Sequence, residues 1–300
     1  MNLIEEIKQL KTERNAVILA HNYVRPELQE IADFTGDSLE LSIKAKNVKA
    51  ETIVFCGVRF MAETAKLLSP DSVVLLPNPD AGCPMADMAA ADAVAAYRAA
   101  HPEAFLVAYV NTTADVKAHV DLCCTSGNAE KIISELPEGQ EVLFLPDRNL
   151  GGNMNRKLDC KMDLWPGCCP THDRVTPEMI AEARAAHPGA KVLVHPECTL
   201  EVVAAADQAL STGGILKFVR ESSDKAFIIG TESGILHRLR KENPGKEFYP
   251  LQPEMICPDM KKITLENVRD CLKNMAPRIE LSEEILREAV KPIEAMIARS

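Results

Sequence analysis

Val17-Ile18-Leu19-Ala20-His21-Asn22-Tyr23 is a short apolar run that ends in a polar cluster. Two other segments read the same way: Val107-Ala108-Tyr109-Val110-Asn111 and Val192-Leu193-Val194-His195-Pro196-Glu197. Counting 17 residues forward from His21, Tyr109 and His195 reaches Ser38, Ser126 and Thr212. From those hydroxyls a further 45, 43 and 45 residues lead to Cys83, Cys169 and Cys257, so that successive cysteines stand 86 and 88 residues apart. An aromatic or imidazole donor, a hydroxyl and a thiol thus recur three times at one spacing. A period of this length marks a triplicated domain, not a solenoid. It predicts a pseudo-threefold protein in which three thiols meet at the centre.

The 300 residues divide on this reading into repeats at 1–97, 98–184 and 185–300, each small enough to depend on packing against the others. A net charge of −10 argues against a nucleic-acid partner, which would want a basic face. No apolar stretch approaches the roughly 18–20 residues that a membrane span needs. Near the N-terminus Leu3, Ile7 and Leu10 recur at helical spacing among charges, without the apolar core of an export signal. Ten cysteines in such a chain point to a reducing, cytoplasmic setting, where they serve metals or catalysis more often than disulfides.

Short apolar runs alternate with helical stretches, the pattern of a parallel α/β/α unit with its ligand site at the centre. Strands are expected at 16–20, 32–34, 52–56 and 73–76, then at 104–110, 141–145 and 162–165, then at 191–195 and 226–230. Helices near 92–100 and 178–186 join the repeats, and each runs into a His-Pro dipeptide, His101-Pro102 and His187-Pro188. Ser282 is a plausible N-cap for a closing helix, which Pro292 should kink.

A free cysteine is by default a small buried hydrophobe, and Cys56, Cys160, Cys198 and Cys271 fit that description. Cys83, Cys169 and Cys257 differ because each lies beside a proline in a loop at an equivalent place. Three thiolates can hold zinc or three irons of a [4Fe-4S] cluster. Structural zinc usually takes four ligands with close CxxC pairs, and the chain has no CxxC. An electron-transfer cluster normally has four cysteines. Three separated cysteines suit a cluster with one iron open to act as a Lewis acid.

Ser38, Ser126 and Thr212 each precede a helical stretch. They are either helix caps or, taken together, three helix ends turned on a shared anion. His21, Tyr23, Tyr109, Val110, Asn111, His195, Pro196 and Glu197 stand at strand ends, where parallel α/β units bind ligands. Two imidazoles, two phenols and a carboxylate among them make an acid–base set. His172, three residues after Cys169, either joins the site or caps its loop, and the vicinal pair Cys123-Cys124 has no role that spacing assigns.

On these motifs the chain resembles the quinolinate synthase family over essentially its whole length. The resemblance is carried by His21-Asn22-Tyr23, Gly36-Asp37-Ser38, Gly82-Cys83-Pro84-Met85-Ala86, Tyr109-Val110-Asn111, Trp165-x-Gly167-x-Cys169-x-x-His172, His195-Pro196-Glu197, Ser211-Thr212-Gly213 and Cys257-Pro258-x-Met260-Lys261-Lys262. It selects Cys169 over its neighbour Cys168 as the second cluster ligand. It implies a [4Fe-4S] cluster on Cys83, Cys169 and Cys257, and condensation of iminoaspartate with dihydroxyacetone phosphate to quinolinate for NAD biosynthesis. Functional coupling to an iminoaspartate-producing enzyme follows. In that reading Glu197 moves protons, His21, Tyr23, Tyr109 and His195 orient and donate, and Ser38, Ser126 and Thr212 hold anionic groups. The substrate-binding set also includes Val110, Asn111 and Pro196. A CxxC disulfide switch found in one family variant is absent from this sequence. The rivals are another cluster-dependent hydro-lyase of a dicarboxylate and a non-catalytic iron–sulfur carrier or sensor.

Overall fold

Three four-stranded sheets, all parallel, carry the fold, and each has the same strand order. The structure is a computed structural model that describes residues 2–300. The first sheet contains β1 (Ala16–His21), β2 (Phe34–Gly36), β3 (Thr52–Cys56) and β4 (Val73–Leu75), in the order β2-β1-β3-β4. The second contains β5 (Phe105–Tyr109), β6 (Leu122–Cys124), β7 (Val142–Leu145) and β8 (Asp163–Leu164), in the order β6-β5-β7-β8. The third contains β9 (Lys191–Val194), β10 (Gln208–Ala209), β11 (Ala226–Gly230) and β12 (Glu247–Pro250), in the order β10-β9-β11-β12. The chain reverses its direction of travel between the first and third strand of each sheet, the crevice in which such sheets bind ligands.

The central strands read as unbroken apolar runs because both faces are covered. Ile18, Leu19 and Ala20, Leu106 to Ala108, and Val192 to Val194 are fully buried. The joining helices lie at Ala91–Ala100 and Pro177–Ala186, and both end at a histidine with nearly the same backbone, His101 at φ −128° and His187 at φ −131°.

Three strands escape the sequence pattern: β6, β10 and β12. They are two to four residues long and lie at sheet edges, too short for alternation to show. The closing helix, Glu283–Ala298, is capped by Ser282 as expected. It runs without interruption through a buried Pro292, and packs against β6 and the helices Arg59–Leu68 and Ala114–Lys117. The end of the chain therefore lies on the first two repeats. Just before it, Ile279 donates its N–H to Val74 O at 2.8 Å, beside β4. The repeats are interlocked.

Candidate active site

All three sheets turn their strand ends towards one cavity of about 680 Å³. His21, Tyr23, Tyr109, Asn111, His195 and Glu197 line it, with Ser38, Ser126, Thr212 and all three cysteines of the repeat. Val110 and Pro196 do not. Their carbonyls face backwards, Val110 O to Lys117 Nζ at 2.8 Å and Pro196 O to Asn153 Nδ2 at 2.9 Å.

The repeat is visible in hydrogen bonds as well as in spacing. Tyr23 N donates to His21 Nδ1 at 3.2 Å, and Glu197 N donates to His195 Nδ1 at 3.3 Å. In each ring Nδ1 is an acceptor, which leaves Nε2–H as the donor. Burial lowers His21 to about 3 and His195 to about 4, helped in His21 by the neighbouring His195. Both rings are therefore neutral near pH 7. His195 Nε2 reaches Ser126 Oγ at 3.2 Å.

Glu197 is 4% exposed and held from both sides. Oε1 accepts the Tyr109 hydroxyl at 2.6 Å, and Oε2 lies 2.7 Å from His172 Nδ1. Burial pushes this carboxyl upward, but His195, His172 and the Tyr109 hydroxyl outweigh it and hold Glu197 below the usual carboxylate range. His172 lies inside the site: besides Glu197 it meets Cys169 Sγ at 3.2 Å through Nδ1 and Thr231 Oγ1 at 2.8 Å through Nε2. Thr231 in turn bonds the Tyr23 hydroxyl at 2.6 Å, and Thr212 Oγ1 donates to that same hydroxyl at 2.8 Å. Burial and the charge of Glu197 raise both phenols well above their ordinary value, so Tyr23 and Tyr109 remain protonated.

Side chains other than the predicted hydroxyls cap two of the three helices, and no side chain caps the third. Asp37 caps Ser38–Asn47, and Ser211 caps Thr212–Glu221. Ser126 stands two residues before Asn128, at the start of Ala129–Ser134. The helix ends are less open than expected, because Asp37 Oδ2 also accepts Gly213 N at 3.1 Å and joins the first repeat to the third. A side chain at Gly213 would place Cβ 2.5 Å from that oxygen, which accounts for the glycine. Gly167, in the Trp165 motif, is likewise required, since its Cβ would lie 2.5 Å from Pro146 O.

Each of the three cysteines stands at the start of a helical turn, before Pro84–Asp87, Pro170–Asp173 and Asp259–Lys261. Cys83 Sγ accepts the N–H groups of Met85 and Ala86, Cys169 Sγ that of His172, and Cys257 Sγ those of Asp259 and Met260. Burial nevertheless pushes Cys83 up to about 12 and raises Cys169 and Cys257. Three inward thiols whose burial disfavours the ionised form suit a cationic inorganic group. None is in a disulfide, and the three sulfurs are not gathered within 4.8 Å of one another, the spread over which one ion takes three donors. They thus fit a polynuclear group better than a single ion. Cys168 faces elsewhere, towards Asp173 and Arg148.

Sequence reasoning missed Asp37, Thr231 and Glu232. Glu232 is fully buried, pairs with Lys261 Nζ at 2.8 Å and accepts Cys257 N at 3.3 Å, so it ties the third thiol loop to the end of β11. The position following the third strand of a repeat was the available signal, since Thr231 and Glu232 follow β11 directly. Cys123 and Cys124 are buried in β6, away from the cavity. The cavity lining contains no lysine or arginine, and Lys117 and Lys261 stand behind it. Asn111 Oδ1 is buried there without a hydrogen-bond donor.

Comparison with known proteins agrees with this geometry. The family model described as quinolinate synthetase A protein matches residues 5–298. The quinolinate synthase of Methanoregula boonei is 53% identical over 99% of this chain and 98% of its own length. Those of Geobacter metallireducens and Desulforudis audaxviator are 51% and 50% identical, over 98% and 99% of this chain and 96% and 98% of their own. A family-model match over residues 5–298, with relatives about half identical over nearly the whole chain, means that the chain belongs to the quinolinate synthetase A family of enzymes.

Proposed function

We propose that this chain condenses iminoaspartate with dihydroxyacetone phosphate to give quinolinate, phosphate and two waters, a redox-neutral reaction, for NAD biosynthesis. One observation carries the reading. Three unpaired thiols, one from each repeat, share a cavity with a carboxylate held between a phenol and an imidazole. Cys83, Cys169 and Cys257 would hold a [4Fe-4S] cluster. When bound, that cluster supplies a Lewis-acidic iron that polarises a substrate oxygen.

The rest of the chemistry belongs to the side chains. Glu197 is ionised and buried, so Oε2 can take a proton from carbon or nitrogen and return it to a leaving hydroxyl. Tyr109 and His172 stabilise the carboxylate between those steps. His21 and His195 are neutral Nε2–H donors, which suits them to orient carboxylate or carbonyl oxygens without adding charge. Ser38, Ser126 and Thr212 add hydroxyls at helix starts. Asn111 Oδ1 lacks a donor, and the N–H of an imine or enamine would supply one. Residues Tyr23 and Tyr109 donate from phenols that stay protonated throughout. We place the enzyme in the cytoplasm, since all ten cysteines are free and no helix among the described residues is long and apolar enough to cross a membrane. It would draw its unstable imine from an iminoaspartate-producing enzyme.

Anaerobic incubation of iron-loaded protein with both substrates should yield quinolinate. Iron and sulfide should bind to wild type and to Cys168→Ala, and be lost from Cys83→Ala, Cys169→Ala and Cys257→Ala. A loaded enzyme that made no quinolinate, or a cluster that survived loss of Cys169, would overturn the reading.

A further inference from the structure

Cys169, His172 and Glu197 place one ligand atom each within 4.8 Å of one another, the only such trio of Cys, His, Asp or Glu among the described residues. We propose that the cluster-free protein binds a single thiophilic divalent cation, of the class of Zn²⁺, on Cys169 Sγ, His172 Nδ1 and Glu197 Oε2. This donor set differs from that of the cluster. It takes one of the three thiols and leaves Cys83 and Cys257 free.

The donor types and distances suit one ion. Thiolate, imidazole and carboxylate are the ligands of zinc, and three of them with a water make an open tetrahedral site. Bond lengths of about 2.0–2.3 Å put tetrahedral donors about 3.3–3.6 Å apart. His172 Nδ1 is 3.2 Å from Cys169 Sγ and 2.7 Å from Glu197 Oε2. An outward movement of the Glu197 carboxylate would widen the shorter spacing towards the tetrahedral value, and the third pair, Cys169 Sγ and Glu197 Oε2, already lies within 4.8 Å. The outer groups are already in place. Thr231 Oγ1 lies 2.8 Å from His172 Nε2, and Tyr109 fixes Glu197 Oε1 at 2.6 Å, so Nδ1 and Oε2 are the free ligand atoms. On binding, the Cys169 thiol proton leaves to solvent, and His172 carries its own proton on Nε2, where Thr231 accepts it. The cavity leaves the fourth position to water.

An ion here would withdraw Cys169 from the cluster and Glu197 from proton transfer, so cluster and single ion exclude each other. Only that exclusion rests on the cluster reading above. Co²⁺ titrated anaerobically into the cluster-free full-length chain should bind one equivalent, with a thiolate charge-transfer band and the strong visible bands of a tetrahedral site. Cys83→Ala and Cys257→Ala should keep the spectrum and Cys169→Ala should lose the charge-transfer band. His172→Ala and, more mildly, Thr231→Val should weaken binding, the latter by roughly 10–100-fold. Loss of the spectrum in Cys83→Ala or Cys257→Ala would show that three thiols hold the ion and overturn the proposal, as would a spectrum without a thiolate band. In a second arm, one equivalent of Zn²⁺ should block iron uptake on reconstitution, and a chelator should restore it; unimpeded uptake by zinc-loaded protein would overturn the exclusion. Wild type that took up no iron even without zinc would sink the cluster reading, and the Co²⁺ arm would still decide the site.

Discussion

Tyr109, at the end of β5 in the second repeat, donates its hydroxyl to Glu197 of the third at 2.6 Å. On the other oxygen stands His172, again from the second repeat. The candidate base is thus on one repeat, and two of the three groups that keep it ionised, Tyr109 and His172, are on another, His195 being the third.

Glu197→Gln keeps the shape but cannot take up a proton. It should retain iron content near wild type and still bind quinolinate, while quinolinate formation falls by roughly 10²–10⁴-fold, the usual worth of a general base. Anaerobic assays at matched iron content decide it, and near-normal turnover would remove Glu197 from the mechanism.

The hydroxyls and the caps should separate. Ser38→Ala, Ser126→Ala and Thr212→Ala leave Asp37 and Ser211 in place, so they should weaken ligand binding by about one to two decades with little loss of stability. Ser211→Ala should do the reverse, costing about 0.5–2 kcal/mol of stability. Urea denaturation and quinolinate titration read the two effects independently.

Two glycines form a control pair. Gly213→Ala would drive Cβ to 2.5 Å from Asp37 Oδ2 and should lower the melting temperature and weaken binding. A Cβ at Gly82, beside Cys83, meets nothing within 4 Å, and Gly82→Ala should be nearly silent. Equal behaviour of the two would show that the Asp37–Gly213 junction has no importance.

Stability should fall in mild acid. His21 and His195 titrate near 3 and 4 when folded and near 6.5 when unfolded. Between pH 6.5 and about 4 the unfolded chain binds protons that the folded one refuses. Stability is therefore complete above 6.5 and declines below it, by up to about 1.4 kcal/mol per pH unit for each ring. Urea midpoints of cluster-free protein at pH 7.5 and 5 should show this slope. His195→Asn should flatten it, and a slope that stayed unchanged would contradict the neutral imidazole.

Much of the architecture was legible because the signal was repeated. The central strands, the joining helices and the spacing of thiol, hydroxyl and strand-end donor all follow from runs long enough to show periodicity or from threefold recurrence. What escaped was short or non-local. Strand β10 is two residues long, which gives no alternation to read. That Asp37, not Ser38, caps its helix and reaches across to Gly213 depends on a contact 176 residues away along the chain. Thr231 bridges Tyr23 and His172 with no motif of its own. The closing helix lies on repeats other than its own because a small unit buries too little alone, and sequence order does not say which neighbour supplies the cover.

At the position two residues after each strand-end donor the repeats hold Tyr23, Asn111 and Glu197: a phenol, an amide and a carboxylate. Three identical subunits around an axis would have to present the same group three times, because any change in one is a change in all. Joining the three copies in a single polypeptide removes that bond between them. Each copy can then mutate alone, and a site built on rotational symmetry can tell one end of a lopsided substrate from the other.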